Sequence, residues 1–247
     1  MNIKRIFPLV IGLLVCALLV FGWFRINVGG PAPYPINIGN FSVISNTTIN
    51  PDTLLEDIKH GKEVTILQTQ PDIPDNPPFI TSVEWSQNDY LKIANAFHKA
   101  IWNDNPDDWH LYKAIFRTDC SNTSGKFNSA DLYYYQEAKV NGKRKYSVRD
   151  ILIQPQYGYI AWGGNSTYPY PIGGWEEIDL EKIRILPAEK ALSLAEQDGG
   201  SDIRQRVNNA CLISVIIWPW GFKRSDWSVS YSGNANIENG RIWISLE

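Results

Sequence analysis

The sequence predicts an α+β protein: an N-terminal transmembrane helix, then two helix-plus-antiparallel-sheet modules in tandem. Three observations lead to this fold class. The chain begins with an uncharged apolar run, Ile6–Phe24. Two later stretches share one order of elements, in which a helical apolar pattern precedes several strand-like runs. A proline-rich region separates the apolar run from these stretches, as in an extended linker.

These features divide the chain into four parts. We expect residues 1–25 to form an anchor, 26–80 a stalk, 81–165 the first α+β module and 166–247 the second. The hydrophobic fraction of 44% and the charged fraction of 20% fit a folded protein and exclude wholesale disorder.

The apolar run Ile6–Phe24 has the length of a membrane span, because as a helix it would extend about 28 Å. Lys4 and Arg5 precede it and Arg25 follows it. The positive-inside rule then predicts a single-pass protein of the cell membrane, with its N-terminus in the cytoplasm and its body outside. The alternative is a cleaved signal peptide, but the apolar core is long for one and ends without a small-x-small cleavage site.

The stalk contains eight of the 15 prolines of the chain, between Pro31 and Pro78. Proline cannot donate to a β-ladder and favours extended conformations around it. Within this region, Asp52–His60 fits a short helix ended by Gly61, and Glu63–Gln70 fits a short strand.

The first module begins with a helix whose start resembles a capping box, formed by Ser86 and Asp89. Its apolar residues recur at helical spacing: Tyr90, Ile93, Ala94, Phe97 and Ile101. The strand-like runs that follow are Trp109–Thr118, Ala130–Val140, Tyr146–Gln154 and Tyr157–Trp162. Asn141-Gly142 is typical of a two-residue hairpin turn between the second and third runs.

The second module repeats this order. Pro187 suits a first helical turn, and Gly199-Gly200 suits the end of the helix. The apolar positions between them have the spacing seen in the first module: Ala188, Ala191, Leu192 and Ala195. The strand-like runs are Cys211–Trp218, Asp226–Ser232 and Arg241–Leu246. Two related modules are therefore predicted.

Four segments of the second module resemble PepSY-type extracytoplasmic domains: Pro187–Glu196, Gly199-Gly200, Asp226–Tyr231 and Ile242–Leu246. Such domains begin with a short helix carrying Ala-Leu and Ala positions, and strands with a Trp-x-Val-x-Tyr-like pattern follow. This chain lacks their acidic-Thr-Gly ending. The resemblance implies an envelope module that inhibits or binds a partner, with a second divergent copy at residues 86–162.

The body contains two cysteines, Cys120 and Cys211, because Cys16 lies in the apolar run. In an oxidising compartment they have one pairing, which would join the two modules through a loop of about ninety residues. The alternative is two buried free thiols that pack as small hydrophobic side chains.

Several functions are excluded or unsupported. Without the three cations around the apolar run, the body has a net charge of −6, so we expect no nucleic-acid partner. No HExxH, GxSxG, P-loop or CxxC motif is present, and we expect no cofactor. The densest polar cluster fits a solvated loop better than a metal site, and we expect no metal there. Its members are Asp104, Asp107, Asp108 and His110.

The candidate ligand-binding residues are aromatic side chains around the Gly- and Pro-rich connector between the modules. They are Tyr157, Tyr159, Trp162, Tyr168, Tyr170 and Trp175. Clustered aromatic side chains on loops suit a contact surface, although they also suit the closure of a joint between modules.

We therefore expect a membrane-anchored, extracytoplasmic binding or regulatory protein without catalytic residues. Its partners besides the membrane would be an envelope protein, a peptide or a glycan. The alternative is a surface hydrolase or carbohydrate-active protein that uses acids such as Asp107 or Glu176.

Overall fold

One antiparallel sheet of eight strands organises the residues that this computed structural model describes, 45–66, 79–122, 124–168, 186–217, 227–233 and 238–244. The strands are β1 (Ser45–Thr48), β2 (His110–Asp119), β3 (Ser129–Val140), β4 (Lys143–Gln154), β5 (Tyr159–Tyr168), β6 (Leu212–Ile217), β7 (Trp227–Ser232) and β8 (Glu238–Ile244). Their order in the sheet is β1-β5-β4-β3-β2-β6-β7-β8.

Four helices pack their apolar residues against one core with this sheet. They are α1 (Pro51–Lys59), α2 (Gln87–Trp102), α3 (Ala188–Ala195) and α4 (Ser201–Arg206). The predicted capping box of α2 is confirmed, since the Ser86 hydroxyl accepts the N–H of Asp89 and the Asp89 carboxylate accepts the N–H of Ser86. Asn103, with φ of 52°, ends this helix in the left-handed conformation.

The strands alternate between two faces. In β3, Leu132 and Tyr134 belong to the core with the helices, whereas Asp131, Tyr133 and Tyr135 point the other way. We call these two sides of the sheet the helix face and the outer face. The core residues of the other strands follow the same alternation, so the helix face carries the main core, although apolar residues such as Ile115 and Val148 are buried on the outer face.

The prediction of two separate helix-plus-sheet modules is wrong. Strands β2 and β6 pair along a register that runs from Ala114↔Ile217 to Asp119↔Leu212, and this pairing makes one sheet of the two predicted sets of strands. Alone, each set would leave a strand edge of unpaired N–H and C=O groups, and the pairing satisfies both edges.

The N-termini of α2 and α3 are also joined. The N–H of Gln87 donates to Glu189 Oε1 at 2.6 Å, and the N–H of Ala188 donates to Gln87 Oε1 at 2.8 Å. Each helix therefore supplies a side-chain acceptor to the start of the other. The two helices do not belong to independent units.

The predicted transmembrane helix must also be corrected. In the described parts of the chain, no helix has the length and apolar character needed to cross a membrane. The segment assigned to that role, Ile6–Phe24, lies outside the described residues.

Two elements from the region predicted as a stalk belong to the body. Strand β1 pairs with β5, and α1 packs Leu54, Leu55 and Ile58 against the core. The described part of the predicted strand Glu63–Gln70, residues 63–66, has no regular structure, and the rest lies outside the described residues.

Candidate functional site

A cluster of charged and aromatic side chains lies on the outer face of β2, β3 and β4. Its five members are Lys113, Arg117, Asp131, Tyr133 and Asp150, and we call it the outer-face cluster. The strand register brings them together. Lys113 is opposite Tyr133, which is opposite Asp150, and Asp131 lies two residues from Tyr133 on the same face.

An ion pair fixes one side of the outer-face cluster. Arg117 Nη2 donates to Asp131 Oδ2 at 2.7 Å, and the two side chains are 26% and 15% exposed. Both residues extend from strands, so their backbones are held by the sheet. The pair presents a positioned cation and carboxylate at a partly accessible surface.

Asp150 is a second carboxyl group beside this ion pair. Burial, followed by the negative charge of Asp131, raises its pKa to about 6 against the opposing hydrogen bonds from the backbone N–H groups of Gly163 and Asp150. One carboxyl oxygen, Oδ1, is buried and has no hydrogen-bond partner. Asp150 therefore changes charge in a pH range where ordinary carboxyl groups are already ionised.

Lys113 lies over an aromatic ring. Its Nζ is 4.6 Å from the centre of the Tyr133 ring, an arrangement that stabilises the ammonium ion by a cation–π interaction. Burial lowers the pKa of Lys113, although the nearby Asp131 opposes this. Burial also raises the pKa of the Tyr133 hydroxyl well above its usual value, so this hydroxyl stays protonated.

Tyr112 and Tyr135 extend the aromatic part of the site. The Tyr112 ring centre is 6.1 Å from that of Tyr133 and 6.0 Å from that of Tyr135. A β-bulge between Leu111 and Lys113 makes this possible, since it lets Tyr112 and Lys113 share the outer face. Tyr112 is buried, while Tyr133 and Tyr135 are half-buried.

Among the described aromatic residues expected to bind a ligand, Tyr159 and Trp162 lie on opposite faces of the sheet. Tyr157 and Tyr159 stack with ring centres 6.3 Å apart, and the Tyr159 hydroxyl donates to Gln154 Oε1. Trp162 lies three residues beyond Tyr159 in β5, so it faces the core instead.

Of the three remaining predicted ligand-binding residues, only Tyr168 belongs to the described part of the chain. Tyr168 ends β5 opposite Tyr146, and both Tyr170 and Trp175 fall outside the described residues.

The members of the predicted polar cluster at Asp104–His110 also have different neighbours in the structure. Asp104 bonds Arg149, Asp107 and Asp108 lie in a short 3-10 turn, and the His110 ring packs 5.3 Å from that of Tyr135. Within the described ranges, no group of three His, Cys, Asp or Glu side chains could hold a metal ion. The acidic run from Glu176 lies outside those ranges.

A disulfide joins Cys120 to Cys211, with Cα atoms 5.1 Å apart. It follows directly on the β2–β6 ladder, and the N–H of Cys120 donates to the carbonyl of Cys211 at 2.8 Å. Both residues are buried. The bond lies at the end of the strand pair that unites the two halves of the sheet, β1–β5 and β6–β8.

Sequence reasoning missed the outer-face cluster, although one signal could have found it. A two-residue turn at Asn141-Gly142 fixes the register of the hairpin around it. That register places Tyr133 opposite Asp150, as observed. The neighbouring strand β2 could not be placed in the same way, because no tight turn connects it to β3.

Comparison with known proteins adds no family assignment. No protein-family model matches the chain, and no curated protein matches its sequence. The resemblance of the C-terminal segments to PepSY-type domains stays a prediction.

Proposed function

We propose that the chain is a non-enzymatic binding or regulatory protein that works outside the cytoplasm and holds a protein partner on the outer face of β2–β4. One observation carries this proposal: Tyr133 and Tyr135 stand beside the Arg117–Asp131 ion pair on a strand surface turned away from the helices. Aromatic side chains and arginine dominate the binding energy of many protein interfaces.

The arrangement suits a macromolecular partner. Tyr112 is buried and its ring packs beside those of Tyr133 and Tyr135, so it restricts the positions of these two half-buried rings. Asp119 and Glu137 are exposed at the margins of the same face. A supported aromatic centre with a charged margin is typical of protein interfaces. Eight strands also give a face about 35 Å wide, which exceeds the needs of a small ligand.

The Cys120–Cys211 disulfide supports a place outside the cytoplasm. Structural disulfides persist in oxidising compartments and are rare where thiols are kept reduced. Both sulfur-bearing residues are buried in the core, which fits a structural bond rather than a redox-active one.

Site-specific photo-crosslinking in the producing cells tests this proposal. A photoreactive phenylalanine replaces Tyr135, and in the control it replaces Trp243, an exposed aromatic residue on the outer face of β8. We expect one discrete crosslinked protein from position 135 that disappears when Arg117→Glu is added. Equal products from both positions, or a product insensitive to Arg117→Glu, would contradict the proposal.

A second candidate, a carbohydrate-active protein, is favoured by one observation. Asp131 and Asp150 place two carboxyl groups on adjacent strands of one face, where Arg117 bonds the first and burial raises the pKa of the second. Such unequal pairs serve glycoside hydrolysis. Release of nitrophenol from a panel of nitrophenyl glycosides, abolished by Asp150→Asn, would favour this candidate, and no release from any of them would exclude it for those sugars.

A further inference from the structure

A second cluster of buried polar side chains lies on the helix face, where the C-terminal end of α2 meets β3 and β4. Its members are His98, Asp104, Trp109, Tyr134 and Arg149, and we call it the Arg149 cluster. The His98 ring centre is 5.6 Å from that of Trp109 and 5.7 Å from that of Tyr134. Tyr134 and Arg149 are opposite each other in the β3–β4 ladder.

The Arg149 guanidinium packs over two indole rings. Its Cζ is 3.9 Å from the centre of the Trp109 ring and 4.5 Å from that of Trp102, and Nη1 donates to Asp104 Oδ2 at 2.5 Å. Gly164, with φ of 140°, lies beside it in β5, and a Cβ there would come within 2.8 Å of Arg149 Cγ. This glycine therefore leaves the room that the arginine stem occupies.

Polar atoms without hydrogen-bond partners concentrate in the Arg149 cluster. They are Trp109 Nε1, Arg149 Nε, the Tyr134 hydroxyl and His98 Nε2. His98 Nδ1 and Asp104 Oδ1 also lack a hydrogen bond, although these two atoms lie 3.4 Å apart. The indole and guanidinium nitrogens can only donate, and the hydroxyl and a neutral imidazole each add one donor hydrogen. Donor hydrogens thus predominate, and the one carboxylate oxygen among these atoms belongs to Asp104.

Asp104 differs from the other members in its exposure. Its side chain is 34% exposed, whereas those of His98 and Arg149 are 1% and 10% exposed, and Trp109 and Tyr134 are buried. It follows the left-handed Asn103 and precedes the turn at Pro106, so it lies on a connecting loop rather than on a strand or helix. Asp104 is therefore the member that can leave Arg149 without disturbing the sheet.

We propose that the Arg149 cluster is a binding site for the carboxylate group of a small ligand, and that Asp104 occupies it as an internal substitute. An incoming carboxylate would take the place of Asp104 on Arg149, with its second oxygen available to the donors of Trp109, Tyr134 and His98. Guanidinium–carboxylate pairs are strong and specific in geometry, and the two indole rings hold the guanidinium for such a pair. This site is on the opposite side of the sheet from the outer-face cluster and does not depend on the partner proposed there.

Titration of the ¹⁵N-labelled full chain with N-acetylglycine tests the proposal. The quantity observed is the chemical shift of the Trp109 indole N–H in the NMR spectrum. A Trp109→Phe variant assigns that signal. We expect a saturable shift in the wild type that N-acetylglycinamide does not reproduce, because the amide lacks the carboxylate. Asp104→Asn removes the internal carboxylate but keeps the size of the side chain, so it should bind about tenfold more tightly.

Asp107→Asn is the matched control. Asp107 lies in the same loop, but among the described residues the ion pair of Arg149 is with Asp104 and not with Asp107. It should bind N-acetylglycine like the wild type. The proposal is overturned if neither the wild type nor Asp104→Asn shows a saturable shift. It is also overturned if the amide produces the same shift or if Asp107→Asn matches Asp104→Asn.

Discussion

The two halves of the sheet share a core pattern and differ on the outer face. In both halves, alternate strand residues enter the core that the helices cover, as Leu132 and Val229 do. On the outer face, β2–β4 carry tyrosines and charges, whereas β6 and β7 carry mainly serines. Those serines are Ser214, Ser228, Ser230 and Ser232. Folding constrains the shared pattern, and the proposed partner surface lies where the two halves differ.

The polar networks on the helix face differ in the same way. In the second half, the Tyr231 hydroxyl donates to Glu196 at 2.8 Å, and Arg204 donates to Glu196 at 2.7 Å and to the carbonyl of Cys120 at 2.9 Å. In the first half, the Arg149 cluster leaves several buried donors without a partner. A network whose members bond one another stabilises the fold, whereas buried donors without a partner require an explanation, and the proposed carboxylate site supplies one.

The largest expected effect tests whether the halves share one core. Phe97→Ala and Leu192→Ala each remove a buried side chain and should each lower the free energy of unfolding by about 2–5 kcal/mol. Because the two halves form one sheet, both variants should shift a single cooperative transition in guanidinium chloride. Two unfolding transitions, each shifted by only one of the variants, would contradict the single core and indicate two modules that unfold separately.

On the helix face, the buried His98 should make the free energy of unfolding of the chain depend on pH. Burial, against the opposing charge of Asp104 and with the charge of Arg149, lowers its pKa from 6.5 to about 4. The unfolded chain therefore takes up a proton at higher pH than the folded chain does. Stability should fall by about 3 kcal/mol as the pH falls from about 6.5 to 4. Chemical unfolding at several pH values measures this slope, which His98→Gln should remove and His60→Gln should leave unchanged.

Asp150 should give the opposite slope on the outer face. Its pKa is raised from 3.8 to about 6, so the folded chain holds a proton that the unfolded chain has already lost. Stability should fall by roughly 2–3 kcal/mol as the pH rises from about 4 to 6. Asp150→Asn should abolish this loss. If the variant kept the wild-type pH dependence, Asp150 would not be the titrating group.

The smallest effects compare the outer faces directly. Arg117→Ala breaks a partly buried ion pair and should cost about 1 kcal/mol of stability. Ser214→Ala, in the neighbouring strand on the same face, should change stability by less than about 0.5 kcal/mol. Thermal unfolding of the two variants under one buffer condition measures the difference. Equal costs would remove the energetic distinction between the two halves.

Local structure was predictable where one short pattern determines it. The capping residues Ser86 and Asp89 predict the start of α2, and the hairpin at Asn141-Gly142 predicts the β3–β4 connection. The union of the two halves was not predictable, because the β2–β6 pairing joins strands about a hundred residues apart and no local pattern specifies it.

The sites were less predictable than the elements. Asp131 and Tyr133 alternate with core residues, and this pattern by itself indicates only a solvated strand face. The Arg149 cluster needs the end of α2, the loop at Asp104 and strand β4 together, and each of these segments is unremarkable in the sequence. Tertiary contacts between distant segments create both clusters.

Hydroxyl-radical footprinting of the full chain, in the producing cells and after purification, tests the central claim most directly. If the outer face of β2–β4 holds a protein partner, Tyr133 and Tyr135 should be modified several-fold less in cells than in the purified protein. Trp243, on the same face of β8 and 51% exposed, should be modified equally in both. Equal modification of Tyr133 and Tyr135 in cells and in the purified protein, with Trp243 as the internal reference, would contradict the account.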